Sequence, residues 1–449
     1  MGWFSKSSPA VVEAVVAAFR DAAPSRLQLP AATSKDWERS EFWLDTSGLA
    51  LYFLDRIRST GRTGDLPAGT LERLGRKLAQ NRERIEEMRQ EFIALNHSFQ
   101  GAGVSYCNLK GFTLTPHSCP DLSLRYQSDY DFLIDSSDLE TGRQVLERHG
   151  FVLTASTPRT LEFKNPTPRK ISFDGQYRTS SPRSAELHIA LDCTEHSANQ
   201  AGRDERLDRI TGFRLDGEIF PALSEPDQMT GQALHILGHL RGEHTRPSWL
   251  LEYRRHILTR RDDPSFWTRL RELAEGQPEA TIALGLSTML AAQIFGESSL
   301  PQLDSWTLDV LPLKVRMWGE AFGRRAVLAD VPGTKLYLLL EEAMHDGRRS
   351  ASVRAEATRR LLPASLPPRI MPKPAHDRPR LRLQREIMQM QYFFYRLIFH
   401  LRQNFVFAIE RRRWRTLLDG YEKSCHMSHE DASAGQQSSS RNLSVCDDT

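Results

Sequence analysis

Residues 104–135, VSYCNLKGFTLTPHSCPDLSLRYQSDYDFLID, contain the pattern on which the fold prediction rests. A short apolar run, residues 104–109, breaks at Lys110-Gly111, and residues 129–135 begin with Asp-Tyr-Asp and continue directly into Phe-Leu-Ile. Both runs are typical of β-strands. Residues i and i+2 of a strand point to the same face of a sheet, so Asp129 and Asp131 are predicted to share a face.

This acid pair is the principal candidate for chemistry. Two adjacent carboxylates repel each other and attract a divalent cation. Nucleotidyl transfer uses Mg²⁺ to neutralise a phosphate centre while an oxygen attacks in line, and a two-ion site needs a third carboxylate. Glu186, at the start of a later predicted strand, is the candidate for it. The alternative is that the acids cap strands or pair with arginines on a solvated edge, since DxD motifs arise often by chance.

Helical patterns flank this stretch on both sides. Apolar spacing predicts helices over residues 9–22, 38–58, 70–100, 137–149, 224–296, 314–327, 335–345 and 381–418. Further strands are predicted over residues 151–154, 161–164, 170–173 and 185–191. This order of elements predicts a small α/β or α+β domain inside a helical protein.

The composition is that of a globular protein with more than one core. The chain has 449 residues, of which 39% are hydrophobic and 26% charged, and a net charge of +3 argues neither for nor against nucleic acid. Its cysteines form no CxxC pair, and their odd number excludes a complete disulfide framework, so a reducing cytoplasmic location is expected. No stretch approaches the ~18 consecutive apolar residues that a membrane span needs.

Residues 70–300 resemble the uncharacterised nucleotidyltransferase family, a bacterial branch of the DNA polymerase β-like superfamily. The family pattern is a long helix, a strand ending in Leu-Lys-Gly, an arginine, an Asp-x-Asp strand, a helix ending at a His-Gly-Phe-like turn, and a carboxylate-Leu-His strand. The matching pieces here are Leu109-Lys110-Gly111, Arg125, Asp129-Tyr130-Asp131, His149-Gly150-Phe151 and Glu186-Leu187-His188.

The resemblance implies an α+β fold, with a small nucleotidyltransferase palm of mixed β-sheet and helices embedded in a mainly helical protein. The domains expected are an N-terminal helical region (1–100), the palm (101–195), a helical domain (196–345), a basic helical extension (346–427) and a disordered tail (428–449). The tail is too polar to bury enough apolar surface to order itself.

The resemblance also implies a function. A nucleoside monophosphate would pass from an NTP, ATP among the candidates, to an unknown acceptor (a small molecule, a protein or RNA), with Mg²⁺ or Mn²⁺ as cofactor. The implied catalytic and metal-binding residues are Asp129, Asp131 and Glu186. The implied nucleotide-binding residues are Lys110, Gly111, Arg125, His188 and His239.

The sequence departs from the superfamily pattern at the phosphate-binding turn. The usual Gly-Ser helix start, which binds the triphosphate through backbone N–H groups, is absent, and Lys110-Gly111 stands in its place. Lys110 is expected either to reach a phosphate or to face solvent, and Arg125 either to bridge a phosphate or to neutralise the acid pair. The departure favours the alternative of a catalytically inactive scaffold or nucleotide-sensing protein.

Three histidines carry alternative interpretations. His235 and His239 lie four residues apart on a predicted helix, a spacing that suits zinc, but the glutamate of an HExxH motif is missing. His239 is therefore expected to be a core histidine or to line the nucleotide cleft. His188 is predicted to lie on the same face as Glu186 and to support the metal ligands.

The last predicted helix combines aromatic residues with a basic run, Arg411-Arg412-Arg413. A basic amphipathic helix can lie on an anionic membrane surface or on RNA. More often an aromatic stripe is part of a core, and arginines at a helix end complement its dipole. The alternative to this core interpretation is that the helix makes a weak contact with an anionic surface.

Overall fold

The computed structural model describes residues 6–20, 32–165, 176–190, 205–298, 300–345 and 379–441. The strand predicted over residues 170–173 and the first part of the basic extension, residues 346–378, lie outside them. The chain divides into two compact units, of which the first comprises residues 1–240, 244–312 and 319–333 and the second the remainder.

A seven-stranded mixed sheet forms the framework of the first unit. Its strands are β1 (Tyr106–Leu109), β2 (Asp129–Asp135), β3 (Val152–Ser156), β4 (Thr160–Lys164), β5 (Ser184–Ala190), β6 (Ile210–Leu215) and β7 (Glu218–Leu223). Their order in the sheet is β3-β4-β5-β2-β1-β7-β6. β2 lies between antiparallel β1 and parallel β5. The sheet and its surrounding helices confirm the predicted α+β class.

Helices make up most of the rest of the first unit. They are α1 (Pro9–Ala17), α2 (Ser34–Thr46), α3 (Ala50–Ser59), α4 (Ala68–Gly101), α5 (Leu139–Arg148), α6 (Glu225–Leu240), α7 (Pro247–Thr259), α8 (Pro264–Ala274), α9 (Pro278–Phe295) and α10 (Pro301–Asp304), with α12 (Arg324–Val327) after a π-turn. The second unit contains α11 (Leu313–Trp318), α13 (Tyr337–Met344) and α14 (Pro379–Arg441).

Alternate side chains of β2 point to opposite faces of the sheet. Tyr130, Phe132 and Ile134 are buried in the main core, where they pack with apolar residues of α4 such as Phe92 and Phe99. Burying side chains of this size contributes roughly 1.5–3 kcal/mol each, so the register of β2 is strongly determined by this face. The acids at the start of β2 consequently lie on the opposite face.

Two features of the first unit differ from the sequence prediction. The helix predicted over residues 38–58 is interrupted between α2 and α3, because Gly48 has a φ of +73° and a Cβ there would meet the side chain of Ser248. The hairpin of β6 and β7 was not predicted, and it extends the sheet to Leu223, beyond residue 195. Asp216-Gly217 forms its turn, with positive φ at both residues, which is a recognised hairpin signal.

The long C-terminal helix α14 ends at Arg441. The disordered tail expected over residues 428–449 stays a prediction, and residues 442–449 lie outside the described residues. Phe399, Phe407 and Trp414 are buried, whereas Leu401 and Phe405 are exposed. Contact of this helix with an anionic surface stays a prediction. None of the described helices combines the length and apolarity needed to traverse a membrane.

Candidate active site

Parallel pairing of β2 with β5 determines which polar side chains meet. The register places Asp131 opposite Glu186 and Leu133 opposite His188, so all these side chains lie on the face away from the main core. One potential ligand atom from each of Asp131, Glu186 and His188 lies within 4.8 Å of the others. The strands β2 and β5, which are distant in sequence, therefore bring together three side chains of the kinds that bind metal ions.

His188 links the two carboxylates of this group. Its Nε2 atom lies 3.0 Å from Oδ1 of Asp131 and 3.4 Å from Oε2 of Glu186. Burial opposes protonation of the imidazole, but the hydrogen bonds to Asp131 and Glu186 outweigh it and raise the pKa of His188. The ring is thus oriented by both acids. Its role in supporting metal ligands stays a prediction.

Asp131 is held in its ionised form. Burial would raise the pKa of its carboxyl group, but the charge of Lys110 and the hydrogen bond from His188 hold that pKa well below its ordinary value. Lys110 Nζ lies 3.5 Å from Oδ1 of Asp131. Only 6% of the Asp131 side chain is exposed. A buried, ionised carboxylate is the ligand type that a hard divalent cation needs.

Asp129 lies on the same face but outside the group of three. Burial raises the pKa of its carboxyl group, and the neighbouring charge of Asp131 raises it further. Arg125, Lys110 and Arg246 act in the opposite direction. Simultaneous ionisation of Asp129 and Asp131 is therefore unfavourable without a counter-ion. A bound cation would favour the ionised form of both acids.

The turn after β1 brings Lys110 to the acids. Lys110 has φ 49° and ψ −153°, a conformation that residues with a side chain rarely adopt. Holding a lysine there costs roughly 1–3 kcal/mol, and strain of this kind concentrates at functional sites. Gly111 follows with a φ of +53°, and a Cβ on it would lie 2.7 Å from Nε2 of Gln127. Only glycine therefore fits here without strain, because its φ is positive and the side chain of Gln127 occupies the place of a Cβ.

Replacing Gly111 with Ala is expected to lower the free energy of unfolding by at least about 1 kcal/mol, because its φ is unfavourable for Ala and the added methyl group displaces Gln127. Urea denaturation measures the change. The matched control is Gly101→Ala at the end of α4, where a Cβ meets nothing within 4 Å and no loss is expected. Equal stabilities of the two variants would contradict the geometry of this turn.

Arg125 has a protein carboxylate as its partner. Its Nε lies 3.2 Å and 3.4 Å from the two oxygens of Glu252, and its Nη1 donates to Gln127 Oε1 at 3.3 Å. Glu252 also accepts a hydrogen bond from the hydroxyl of Tyr52 at 2.9 Å. Arg125 is thus paired with a carboxylate of α7, and its charge lowers the pKa of Asp129. A contact of Arg125 with a phosphate stays a prediction.

The histidines of α6 form an aromatic cluster with α7. The rings of His235 and His239 lie 4.6 Å apart, and the ring of Trp249 lies 4.5 Å from each. Burial and the charge of Lys110 lower the pKa of His235 to about 2, and burial lowers that of His239. Both rings are therefore neutral. The group of three potential metal ligands that the described residues contain includes neither histidine, so nothing there favours zinc.

Sequence reasoning did not single out Arg246 or Tyr126. The guanidinium carbon of Arg246 lies 5.5 Å from the ring centroid of Tyr126 and 5.5 Å from that of Trp249. The available signal was weak: an arginine directly before Pro247, which opens α7, with Trp249 in the first turn. Tyr126, on the loop before β2, is brought to this arginine only by the tertiary fold.

Comparison with known proteins relates the chain to one family. Residues 33–296 match the model of the uncharacterised nucleotidyltransferase family, over more than half of the chain and across every residue of the site. The crystal structure of an antigenic nucleotidyltransferase-like protein from Paracoccidioides brasiliensis aligns with 44% of this chain and 92% of its own, at 14% identity and a TM-score of 0.27. Among curated proteins there is no significant match.

Proposed function

The chain belongs to the uncharacterised nucleotidyltransferase family, and from this we propose that it transfers a nucleoside monophosphate from an NTP to an acceptor. The observation that carries the proposal is the convergence of Asp131, Glu186 and His188 on one face of the sheet, beside Asp129. Acids gathered in this way serve no evident purpose in packing, because they repel each other and are partly removed from water.

The residues present fit a divalent cation. Asp131 and Glu186, together with Asp129, offer the oxygen ligands that Mg²⁺ and Mn²⁺ prefer. Burial, and after it the charge of Asp131, raises the pKa of Asp129, and a bound cation would oppose both effects. Such an ion supplies charge neutralisation at the transferring phosphate. His188 holds the carboxylates of Asp131 and Glu186 in position through its short contacts to both.

The remaining side chains act on the nucleotide and the acceptor. Lys110, which lies beside Asp131, is the proposed point charge on a phosphate, and the backbone of Gly111 is the proposed neighbour of that phosphate. An acceptor oxygen attacks the α-phosphorus, the bond from that phosphorus to the bridging oxygen of the β-phosphate breaks, and pyrophosphate leaves. The proton of the acceptor passes to a base, for which the half-exposed carboxylate of Glu186 is our candidate. His239 lines the aromatic side of the site.

A second candidate is a protein that binds nucleotides without transferring them. It is favoured by the absence of the Gly-Ser turn, since Lys110 and Gly111 occupy its place in the sequence. The two candidates differ in one measurable outcome. A transferase consumes NTP in a manner that depends on Asp131, whereas a binding protein retains its partner or nucleotide when Asp131 is changed to Asn and consumes nothing.

Millimolar Mg²⁺ or Mn²⁺ is expected to raise the Tm of the wild-type protein, because an ion that binds only the native state stabilises it. At an ion concentration a hundred times Kd the gain is about 2.7 kcal/mol. The shift should vanish in the double variant Asp129→Asn/Asp131→Asn and persist in Asp135→Asn, a change at the other end of the same strand. A shift that survives in the double variant would mean that the metal binds elsewhere.

A further inference from the structure

Four cationic side chains act on the acid pair, and three of them have carboxylate partners. Lys110 lies against Asp131, His188 bridges Asp131 and Glu186, and Arg125 is paired with Glu252. The fourth, Arg246, lies beside the segment that leads into Asp129, since its guanidinium carbon is 5.5 Å from the ring centroid of Tyr126. Within the residues that the structure describes, the guanidinium of Arg246 forms no hydrogen bond or ion pair and only stacks on two rings.

The rings that hold Arg246 are themselves held in place. Tyr126 contacts the ring of Tyr177 edge-on, with centroids 5.8 Å apart, and the guanidinium of Arg84 lies 5.9 Å from its centroid. Arg84 is fully buried and donates to backbone carbonyls, including that of Gln127 at 3.2 Å, so it cannot move with a ligand. The second ring, that of Trp249, packs against His239. Both rings that contact Arg246 are therefore held by contacts of their own.

This arrangement leaves the donors of Arg246 available. A guanidinium stacks on aromatic rings through its faces, while its N–H groups lie in its plane and point away from them. A half-buried cation without a carboxylate is costly unless an anion accompanies it. The position of Arg246 indicates which anion this is. Its two aromatic contacts are Tyr126, on the segment that leads into Asp129, and Trp249, which packs against His239.

We propose that Arg246 is a phosphate ligand of the NTP, presented edge-on by the rings of Tyr126 and Trp249. In this assignment Arg246 has the role that the sequence suggested for Arg125, whose donors contact Glu252 and Gln127. Planar guanidinium groups bind phosphate oxygens in pairs, which Lys110 alone does not do. The inference rests on the proposed function, because it takes the substrate of the acid site to be an NTP.

The test is equilibrium binding by titration calorimetry with Mg²⁺ present, using each NTP, inorganic tripolyphosphate and each nucleoside as probes. Arg246→Gln is expected to weaken binding of the NTP and of tripolyphosphate by about 10–100-fold, the equivalent of one charge-assisted pair of hydrogen bonds. Arg246→Lys should fall between wild type and Gln. Binding of the nucleosides, which carry no phosphate, should not change between wild type and Arg246→Gln.

The matched control is Arg325→Gln, which removes an arginine stacked 5.7 Å from the ring centroid of Phe322 in the same unit. It should leave all binding unchanged. Tyr126→Phe keeps the stacking ring and should bind as wild type does, whereas Tyr126→Leu should weaken tripolyphosphate binding while the protein remains folded by circular dichroism. This pair separates a role in positioning Arg246 from a loss of folding.

Failure of the inference differs from failure of the proposed function. If wild type and Arg246→Gln bind the NTP and tripolyphosphate equally well, Arg246 is not a phosphate ligand, although the protein can still be a transferase. If binding depends on Arg246 but no transfer is found, the inference survives and the transferase proposal fails. Absence of NTP and tripolyphosphate binding in the wild type overturns both.

Discussion

Replacing Asp131 with Asn is expected to lower the rate of nucleotidyl transfer by about 10²-fold or more. The side chain keeps its size, but it loses the negative charge that a catalytic cation needs. That cation acts mainly on charge that develops in the transition state, so kcat should fall while KM changes little. The measurement is steady-state NTP consumption with Mg²⁺ and with Mn²⁺, at saturating nucleotide.

Asp135→Asn is the matched control for this substitution. Asp135 lies on the same strand and on the same face as Asp131, but its carboxylate accepts a hydrogen bond from the backbone N–H of Ser137 at 2.9 Å. An asparagine can accept that bond equally well, so activity should remain at the wild-type level. If Asp131→Asn consumed NTP as fast as Asp135→Asn, Asp131 would have no catalytic role.

Replacing Glu252 with Ala is expected to lower the free energy of unfolding by about 3–5 kcal/mol. Only 3% of the Glu252 side chain and 12% of the Arg125 side chain are exposed, so the change leaves a buried positive charge without its partner. The hydroxyl of Tyr52 also loses its acceptor. Urea denaturation, monitored by circular dichroism, measures the loss.

An exposed ion pair supplies the comparison. Glu13 pairs with Arg324, and 58% of the Glu13 side chain is exposed, so Glu13→Ala should change the stability by no more than about 1 kcal/mol. A small loss in both variants would show that Arg125 is not dependent on Glu252. It would then be available to the nucleotide, as the sequence analysis first suggested.

The parts of the fold that were predictable depend on local periodicity. The long helix α4 and the strand β2 follow from apolar spacing, and the shared face of Asp129 and Asp131 follows from the period of a strand. The meeting of Asp131 with Glu186 was inferred from resemblance and chemistry, but the register that places them opposite each other is a property of the folded sheet. The local sequence pattern does not specify how β2 and β5 pair.

The parts that were not predicted depend on contacts between distant segments. Gly48 interrupts a helical pattern because Ser248, far away in sequence, leaves no space for a side chain. The partner of Arg125 is Glu252 on α7, and the stack of Tyr126 on Arg246 joins a loop to the start of that helix. The hairpin at Asp216-Gly217 is the exception, since Asp-Gly is a turn signal that is present in the local sequence.

The most direct test of the transferase assignment is the position of the label that leaves the nucleotide. The protein is incubated with a cell extract and Mg²⁺ or Mn²⁺, with each NTP labelled at the α- or at the γ-phosphate. Nucleotidyl transfer predicts that the α-label joins an acceptor and the γ-label is released in pyrophosphate, with both signals lost in Asp131→Asn. Transfer of the γ-label to the acceptor, or no transfer with any NTP and either metal, would contradict the assignment.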